Sequence, residues 1–331
     1  MKAGVAMPGF SRRRWLAPLL ALGLALAVWL LSLAVGSISI SPAQFIDILS
    51  GSETGLPRRI LFELRIPRAG AAFATGGLLA VSGALIQVLI RNPLGDPYVL
   101  GISGGASVFA LLAIALGLGS GWIEAGAFGG AMLSMLIVFA LAASGGHWST
   151  TRLLLTGVIV ASGWGALITL ILSVAPDAKL RGMLFWLIGD LSGVASSLPS
   201  WTALLVGLPC AMVLAKDLNV LARGELSAAS LGVNVRALHA GVYVLSALLT
   251  AVSVTTAGSV GFVGLVVPHL LRLSGVGDMR VLLPTAALVG GSVLLLADTV
   301  ARSVIAPQQL PVGVITALIG IPVFLYLLRR R

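Results

Sequence analysis

Hydrophobic and polar positions form long blocks along this chain. Apolar runs of about 20 residues follow one another from end to end, and an α-helix of that length crosses a bilayer. The pattern predicts an all-α integral membrane protein with ten transmembrane helices. The predicted spans are a run ending at Val35, then 66–90, 98–118, 121–143, 152–174, 197–215, 236–257, 258–274, 281–301 and 308–328.

The longest polar insert is residues 216–236, KDLNVLARGELSAASLGVNVR. Gly224 and Gly232 interrupt a helical spacing of apolar residues. These apolar residues are Leu218, Leu221, Leu226 and Ala229. The spacing predicts one or two short amphipathic helices outside the bilayer, between the sixth and seventh spans. We interpret this 216–236 element as a docking surface for a separate, energy-supplying protein; the alternative is a solvated loop joining two spans.

No linker or low-complexity segment divides the chain, so residues 1–331 are predicted to form a single transmembrane domain. The chain has no clear internal repeat, and an inverted-repeat secondary transporter therefore gains no support. The segment SRRRWL at residues 11–16 superficially resembles a twin-arginine export signal. The apolar run after it is too long for a signal sequence, and further spans follow it. We therefore expect a retained first span with a cytoplasmic amino end.

Composition supports this class of protein. Of the 331 residues, 58% are hydrophobic and 10% are charged, against roughly 25% charged in soluble proteins. The 41 glycines suit helices that approach one another closely in lipid. Cys210 is the single cysteine, so the chain cannot form an internal disulfide.

The basic residues predict the orientation of the chain. Ten spans place both termini on one side, and with the termini in the cytoplasm fourteen basic residues lie inside and seven outside. This division follows the positive-inside bias. The acidic residues divide into four inside and seven outside, so the net charge of +10 lies entirely on the cytoplasmic face. The charge is therefore explained by membrane orientation, and we expect lipid but no nucleic acid as a partner.

Several catalytic and binding motifs are absent from the sequence. It contains no GxxxxGK[ST] phosphate loop, no HExxH and no Cys/His cluster. No acidic residue falls in the middle of a predicted span, where ion-coupled carriers usually need one. The chain therefore lacks the residues on which a self-powered pump, a secondary carrier or a membrane hydrolase depends. We expect no catalytic residue, no cofactor site and no metal site in this chain.

The motif LRIPR begins the second predicted span, with Pro67 in its first turn, where proline costs no helical hydrogen bond. Arg65 and Arg68 lie three residues apart on one helix face, and Arg302 follows the ninth span on the same side. Two interpretations remain open. The arginines extend to the membrane interface, or they form a fixed basic patch that receives carboxylates of an external partner.

The corner after the second span carries a family resemblance. The sequence RNPLGDPYVLGISGGAS resembles the RNPLADPxxLGxxxGA signature of FecCD-type permeases. These are membrane subunits of binding-protein-dependent ABC importers for iron–siderophores, haem and cobalamin. Gly95 stands where the family usually has alanine. The resemblance extends in order from about residue 60 to the carboxyl end, through LRIPR, GELSAASLGV, GFVGLVVPHLLRL, RVLLP, LLLADTVAR and LPVGVITALIGIPVF.

The resemblance implies a homodimer in the bacterial cytoplasmic membrane, two cytoplasmic ATPase subunits that hold ATP and Mg, and a periplasmic or tethered binding protein. It implies that the binding protein docks on Arg65, Arg68 and Arg302. It assigns the ATPase contact to the cytoplasmic helices of the insert, at Gly224, Glu225, Leu226, Ala229, Leu231 and Gly232. His269 is interpreted as a polar residue at a helix end, with a role near the ATPase contact as the alternative.

The segment RGMLFWLIGDLSG at residues 181–193 is open to two interpretations. Phe185 and Trp186 belong to an interfacial aromatic belt, or, by the resemblance, the segment is a short helix at the rim of the translocation path. In the second interpretation Gly189 permits its turn, and Pro311 and Pro322 bracket a helix that lines the path.

The sequence as a whole predicts an importer permease subunit for a metal chelate, powered by separate ATPase subunits. An iron complex such as a ferric siderophore or haem is favoured on family frequency alone, with cobalamin as the other candidate. The alternatives are a secondary carrier that works without ATP and a non-transporting membrane receptor or scaffold.

Overall fold

The computed structural model describes residues 16–36, 55–143 and 150–329, with a few positions between 45 and 52. Residues 11–15 of the export-like motif lie outside the described residues, as do several of the terminal basic residues used in the orientation argument. The described ranges contain these helices: α1 Leu16–Ala34, α2 Leu56–Leu89, α3 Ile102–Leu116, α4 Ser120–Ala143, α5 Thr150–Val174, α6 Asp177–Ile188, α7 Leu198–Leu221, α8 Glu225–Ser230, α9 Val235–Ala257, α10 Val263–Leu273, α11 Met279–Ala301 and α12 Val312–Arg329.

The predicted all-α membrane class is confirmed for the described part of the chain. Seven of its helices are long and apolar enough to cross a membrane. Three shorter apolar helices, α3, α10 and α12, coincide with the remaining three predicted spans. Because these three are shorter than the roughly 20 residues that a full crossing needs, the count of ten transmembrane helices stays a prediction.

The second predicted span begins earlier than its apolar pattern indicates. The helix starts at Leu56, runs through π-helical turns at Ile60–Arg65 and continues as an α-helix from Ile66. Pro67 has no N–H and would crowd the preceding α-helical turn. The wider π-helical turns accommodate it without ending the helix. Arg65 and Arg68 therefore lie inside one continuous helix, at the point where its π-helical turns give way to the α-helix that matches the predicted span.

The 216–236 element also differs from its predicted form. Helix α7 continues to Leu221, six residues beyond the predicted end of the sixth span. Leu218 and Leu221 are buried and continue the buried stripe of α7 from Ala215, so they stabilise its last turns rather than a separate helix. Of the one or two short helices predicted, the structure contains one, α8, which spans Glu225–Ser230.

Helix α2 forms the centre of the bundle. Every residue from Ala69 to Leu89 is buried, and α7, α9, α10 and α11 all pack against it. A methyl group at Gly76 would overlap the carbonyl oxygen of Gly290 on α11, and one at Gly83 would overlap that of Gly264 on α10. Lipid tails are as apolar as the helices, so such close backbone packing supplies much of the attraction between membrane helices.

Buried hydroxyl groups add directional contacts to this packing. Ser82 on α2 lies 2.6 Å from the Ser246 hydroxyl and 2.8 Å from the Thr250 hydroxyl, both on α9. The hydroxyl of Tyr243 on α9 donates to the carbonyl oxygen of Met135 on α4 at 2.9 Å. These hydrogen bonds fix the rotational position of α9 against two neighbouring helices.

We expect Gly83→Ala to destabilise the bundle because its methyl group has no space beside Gly264. Overpacking of this kind costs about 1–3 kcal/mol, so the thermal unfolding midpoint in detergent should fall. Gly129→Ala is the matched control, since an added methyl group there meets no atom within 4 Å. Equal midpoints for the two variants would contradict the close approach of α2 and α10.

Candidate functional site

A cluster of three arginines and one aspartate lies at the end of the bundle where α2 begins and α11 ends. The Arg68 Nε donates to both carboxylate oxygens of Asp298, at 3.0 and 3.1 Å. A second Arg68 nitrogen donates to Asp298 Oδ1 at 2.8 Å. This bidentate pair joins α2 to α11 and fixes the plane of the guanidinium group. We call Arg65, Arg68, Asp298 and Arg302 the arginine cluster.

Arg302 follows α11 directly and lies four residues after Asp298. Its Nε is 3.6 Å from Asp298 Oδ2, and its guanidinium group donates to the Ser32 hydroxyl at 2.9 Å and to the Ser32 carbonyl oxygen on α1. Burial lowers the pKa of Arg302 to about 10, and the Asp298 carboxylate opposes that shift. The group therefore stays protonated at neutral pH.

Arg65 connects α2 to the last turn of α1. It donates to the carbonyl oxygens of Leu33 and Ala34 at 2.6 and 3.2 Å. The last carbonyl groups of a helix have no partner within the helix and carry partial negative charge, so a guanidinium group is well suited to them. The cluster thus ties three helices together at one end of the bundle.

The three arginine side chains of the cluster also line a cavity. Its volume is about 270 Å³, and Arg65, Arg68 and Arg302 lie in its wall with Gln309. Three guanidinium groups and one carboxylate give the cluster a formal charge of +2. The structure thus brings the three sequence-predicted arginines together beside a cavity suited to an acidic group. Their role in docking stays a prediction.

Asp298 was not among the residues predicted to accompany these arginines. The local signal was present, because Asp298 and Arg302 are four residues apart and so share one helix face. The pairing with Arg68, 230 residues away in the chain, has no such signal. Only the packing of α2 against α11 brings Arg68 and Asp298 together.

Helix α8 lies at the opposite end of the bundle and presents an apolar surface. Leu226 and Leu231 are 89% and 70% exposed, and Ala229 between them is exposed as well. Gly224 and Gly232 border the helix with φ angles of +121° and +81°, which side-chain-bearing residues rarely adopt. The glycines thus give α8 sharp ends, and its exposed leucines remain uncovered within this chain.

An ion pair connects α8 to the corner that follows α2. An Arg91 guanidinium nitrogen lies 3.1 Å from Glu225 Oε1, and both side chains are half-exposed. Arg91 has a φ angle of +50°, which is unusual for a residue with a Cβ. Exposed ion pairs of this kind contribute about 0–1 kcal/mol to stability. The pair therefore contributes little to the stability of the fold.

Three of the four residues predicted along the path lie near one junction. Trp186 is on α6, Gly189 ends that helix with a φ angle of +97°, and Pro311 precedes α12. The Gly313 N–H donates to the Gly189 carbonyl oxygen at 3.4 Å, so the start of α12 meets the end of α6. Pro322 lies farther along, inside α12. His269 is buried within α10 rather than at its end.

The same junction includes the end of α9, because the Asp190 N–H donates to the Ala257 carbonyl oxygen at 2.9 Å. A cavity of about 420 Å³ lies beside it, lined by Arg181, Phe185, Asp190 and Gln309 among others. Over the described ranges, no three His, Cys, Asp or Glu side chains are grouped to hold a metal ion.

Comparisons with known proteins place the chain in one family. A model of the FecCD transport family matches residues 24–330. The chain is 41% identical over 302 residues to the cobalamin import system permease protein BtuC of Halobacterium salinarum, covering 88% of this chain and 79% of that protein. It is 40% identical over 322 residues to the vitamin B12 import system permease protein BtuC of Escherichia coli, covering 95% and 94%.

Solved structures give the same result. An inward-facing metal-chelate type ABC transporter superposes with a TM-score of 0.85 at 29% identity, covering 95% of this chain and 99% of that one. PsaBC from Streptococcus pneumoniae superposes with a TM-score of 0.55 at 20% identity, covering 85% and 94%. The second likeness concerns the fold alone.

We expect Arg68→Ala to lower the stability of the protein by about 3–5 kcal/mol, because it leaves the buried Asp298 carboxylate without its bidentate partner. Arg59→Ala is the matched control. Arg59 pairs with Glu63 at 3.5 Å, but the two side chains are 73% and 64% exposed, so its loss should cost less than about 1 kcal/mol. Unfolding midpoints in detergent measure the difference, and similar small losses for both variants would contradict a stabilising role for the buried pair.

Proposed function

The chain belongs to the FecCD transport family, and from this membership we propose that it is the transmembrane permease subunit of an ABC importer for a metal chelate. The observation that carries the proposal is similarity along nearly the whole chain, from residue 24 to residue 330. It is supported by the high structural similarity to a metal-chelate type ABC transporter, with a TM-score of 0.85. The chain supplies the path, and ATP and Mg belong to partner ATPase subunits.

Among metal chelates we place cobalamin first. The two BtuC relatives are named for cobalamin and vitamin B12 import, at 41% and 40% identity. Family frequency alone favours a ferric siderophore or haem, but it is a weaker argument than similarity at this level over most of the chain. Ferric siderophores and haem are therefore the comparison substrates in the test below.

In the assembly that we propose, two copies of this chain enclose the path and two ATPase subunits lie on the cytoplasmic side. Each copy crosses the membrane ten times with both termini in the cytoplasm. Helix α8 contacts an ATPase subunit, because Leu226 and Leu231 expose an apolar surface that water covers unfavourably. The Arg91–Glu225 pair then connects α8 to the corner after α2.

On the outer side, we propose that a substrate-binding protein docks on the arginine cluster. Its formal charge of +2 and the adjoining cavity suit carboxylates of a partner protein. The chelate then enters between the two copies near Trp186 and Gly189, where α6, α9 and α12 meet. ATP moves the assembly only to the extent that the ATPase subunits bind one packing of α8 more tightly than another.

Uptake into proteoliposomes tests the proposed function. The permease is reconstituted with the ATPase and binding protein of the same importer, and labelled cobalamin, a ferric siderophore and haem are offered in turn. We expect uptake of cobalamin that requires both ATP and the binding protein. Uptake of a different chelate would correct the substrate, and uptake driven by an ion gradient without ATP would contradict the proposal.

A variant in the same assay tests the α8 contact. Leu226→Ser with Leu231→Ser removes the exposed apolar surface, so we expect ATPase recruitment and ATP-driven uptake to fall at least tenfold. The unfolding midpoint should be unchanged, since neither side chain is buried. Leu118→Ser, at an exposed leucine between α3 and α4 at the other end of the bundle, is the control. Full recruitment by the double variant would exclude α8 as the contact.

A further inference from the structure

We propose that Asp298 is a positioning residue for docking, which holds the guanidinium groups of Arg68 and Arg302 in the orientation that receives carboxylates of the binding protein. This inference rests on the proposed docking role of the arginine cluster. Asp298 then has a role different from that of the arginines, because its negative charge alone would repel an acidic partner.

The geometry places Asp298 at the centre of the cluster. The residue is 1% exposed, so its own carboxylate has little access to a partner. Both oxygens are engaged: Oδ1 and Oδ2 accept from Arg68 Nε, and Oδ2 lies 3.6 Å from Arg302 Nε. One carboxylate therefore accepts hydrogen bonds from Arg68 on α2 and forms an ion pair with Arg302, which follows α11 and also donates to Ser32 on α1.

Ordering these side chains before docking has a physical benefit. An arginine side chain samples many rotamers in solution, and fixing it on binding costs entropy. Gln309 adds a second restraint on Arg68, because its Oε1 accepts from an Arg68 guanidinium nitrogen at 2.6 Å. With Arg68 held at both edges and Arg302 held by Asp298 and Ser32, the cavity wall is preorganised for an incoming acidic group.

Charge and position predict opposite effects for the loss of this carboxylate. Asp298→Asn raises the formal charge of the cluster from +2 to +3, and electrostatic attraction alone would then speed and tighten docking of an acidic surface. If Asp298 positions the arginines, the same substitution releases them and weakens docking. The sign of the change therefore separates the two roles.

The experiment measures docking of the labelled substrate-binding protein that supports uptake to the permease–ATPase complex in nanodiscs. We expect Asp298→Asn to raise the dissociation constant about tenfold and Asp298→Glu, which keeps the carboxylate, to recover part of the affinity. Glu63→Gln is the matched control, because it removes an outer carboxylate that pairs with the exposed Arg59. The dissociation constant of this control should be unchanged or slightly lower.

Transport kinetics give a second readout that a purely structural defect would not produce. Asp298→Asn should raise the concentration of loaded binding protein at half-maximal uptake, while the maximal rate and ATPase assembly stay near wild type. An unchanged or lower dissociation constant for Asp298→Asn would overturn the positioning role. If this variant fails to assemble with the ATPase, Gln309→Ala decides. Gln309 is exposed and uncharged, so its loss should weaken docking severalfold without harming the fold, and unchanged docking would overturn the proposal.

A further variant separates this inference from the docking role on which it rests. Arg68→Gln removes a guanidinium group from the cluster and should weaken docking more than Asp298→Asn does. Unchanged docking in Arg68→Gln would remove the arginine cluster as the docking surface, and the positioning role with it. Weaker docking in Arg68→Gln together with unchanged docking in Asp298→Asn would remove the positioning role alone.

Discussion

The close packing of α2 through glycine is the constraint on which the rest of the structure depends. At Gly76 and Gly83 the backbone of α2 touches the backbones of α11 and α10, with no space for a methyl group at either point. In lipid, helices gain little by hiding apolar surface from one another, so backbone proximity and buried hydroxyl contacts such as Ser82 with Thr250 carry much of the association. Because α2 is buried from Ala69 to Leu89, these contacts fix both its position along its axis and its rotation about that axis.

This fixed helix leads to both candidate partner surfaces. Arg65 and Arg68 lie about three turns from its start, where α1 and α11 supply the carbonyl and carboxylate groups that hold them. Arg91 follows its last turn and pairs with Glu225 on α8. A partner that binds at either surface therefore contacts groups attached to the same packed helix. Because packed interiors resist continuous deformation, α2 provides a rigid reference against which the more exposed helices of the bundle can move.

Hydropathy alone predicted much of this fold, because membrane helices must satisfy their backbone hydrogen bonds internally and so appear as apolar runs. The predicted helix ends were wrong where a polar residue interrupts the apolar run but the helix continues. Lys216 ends the apolar run, yet α7 continues because Leu218 and Leu221 remain on its buried side. The sequence motifs grouped the arginines of the cluster, whereas the Arg68–Asp298 and Arg91–Glu225 pairs depend on how distant helices pack. A single sequence does not show which residues of distant helices form such pairs.

The most direct test of a rigid α2 is a distance measured along it by pulsed electron spin resonance. Spin labels are placed at Arg59→Cys and Leu94→Cys, two exposed positions, in a background where Cys210 is replaced by serine. Thirty helical residues between Arg59 and Leu89 span about 45 Å, at about 1.5 Å per residue. We expect one narrow distance distribution that is the same with and without the ATPase subunits and ATP. A second distance that appears with ATP would contradict the account of α2 as a fixed reference.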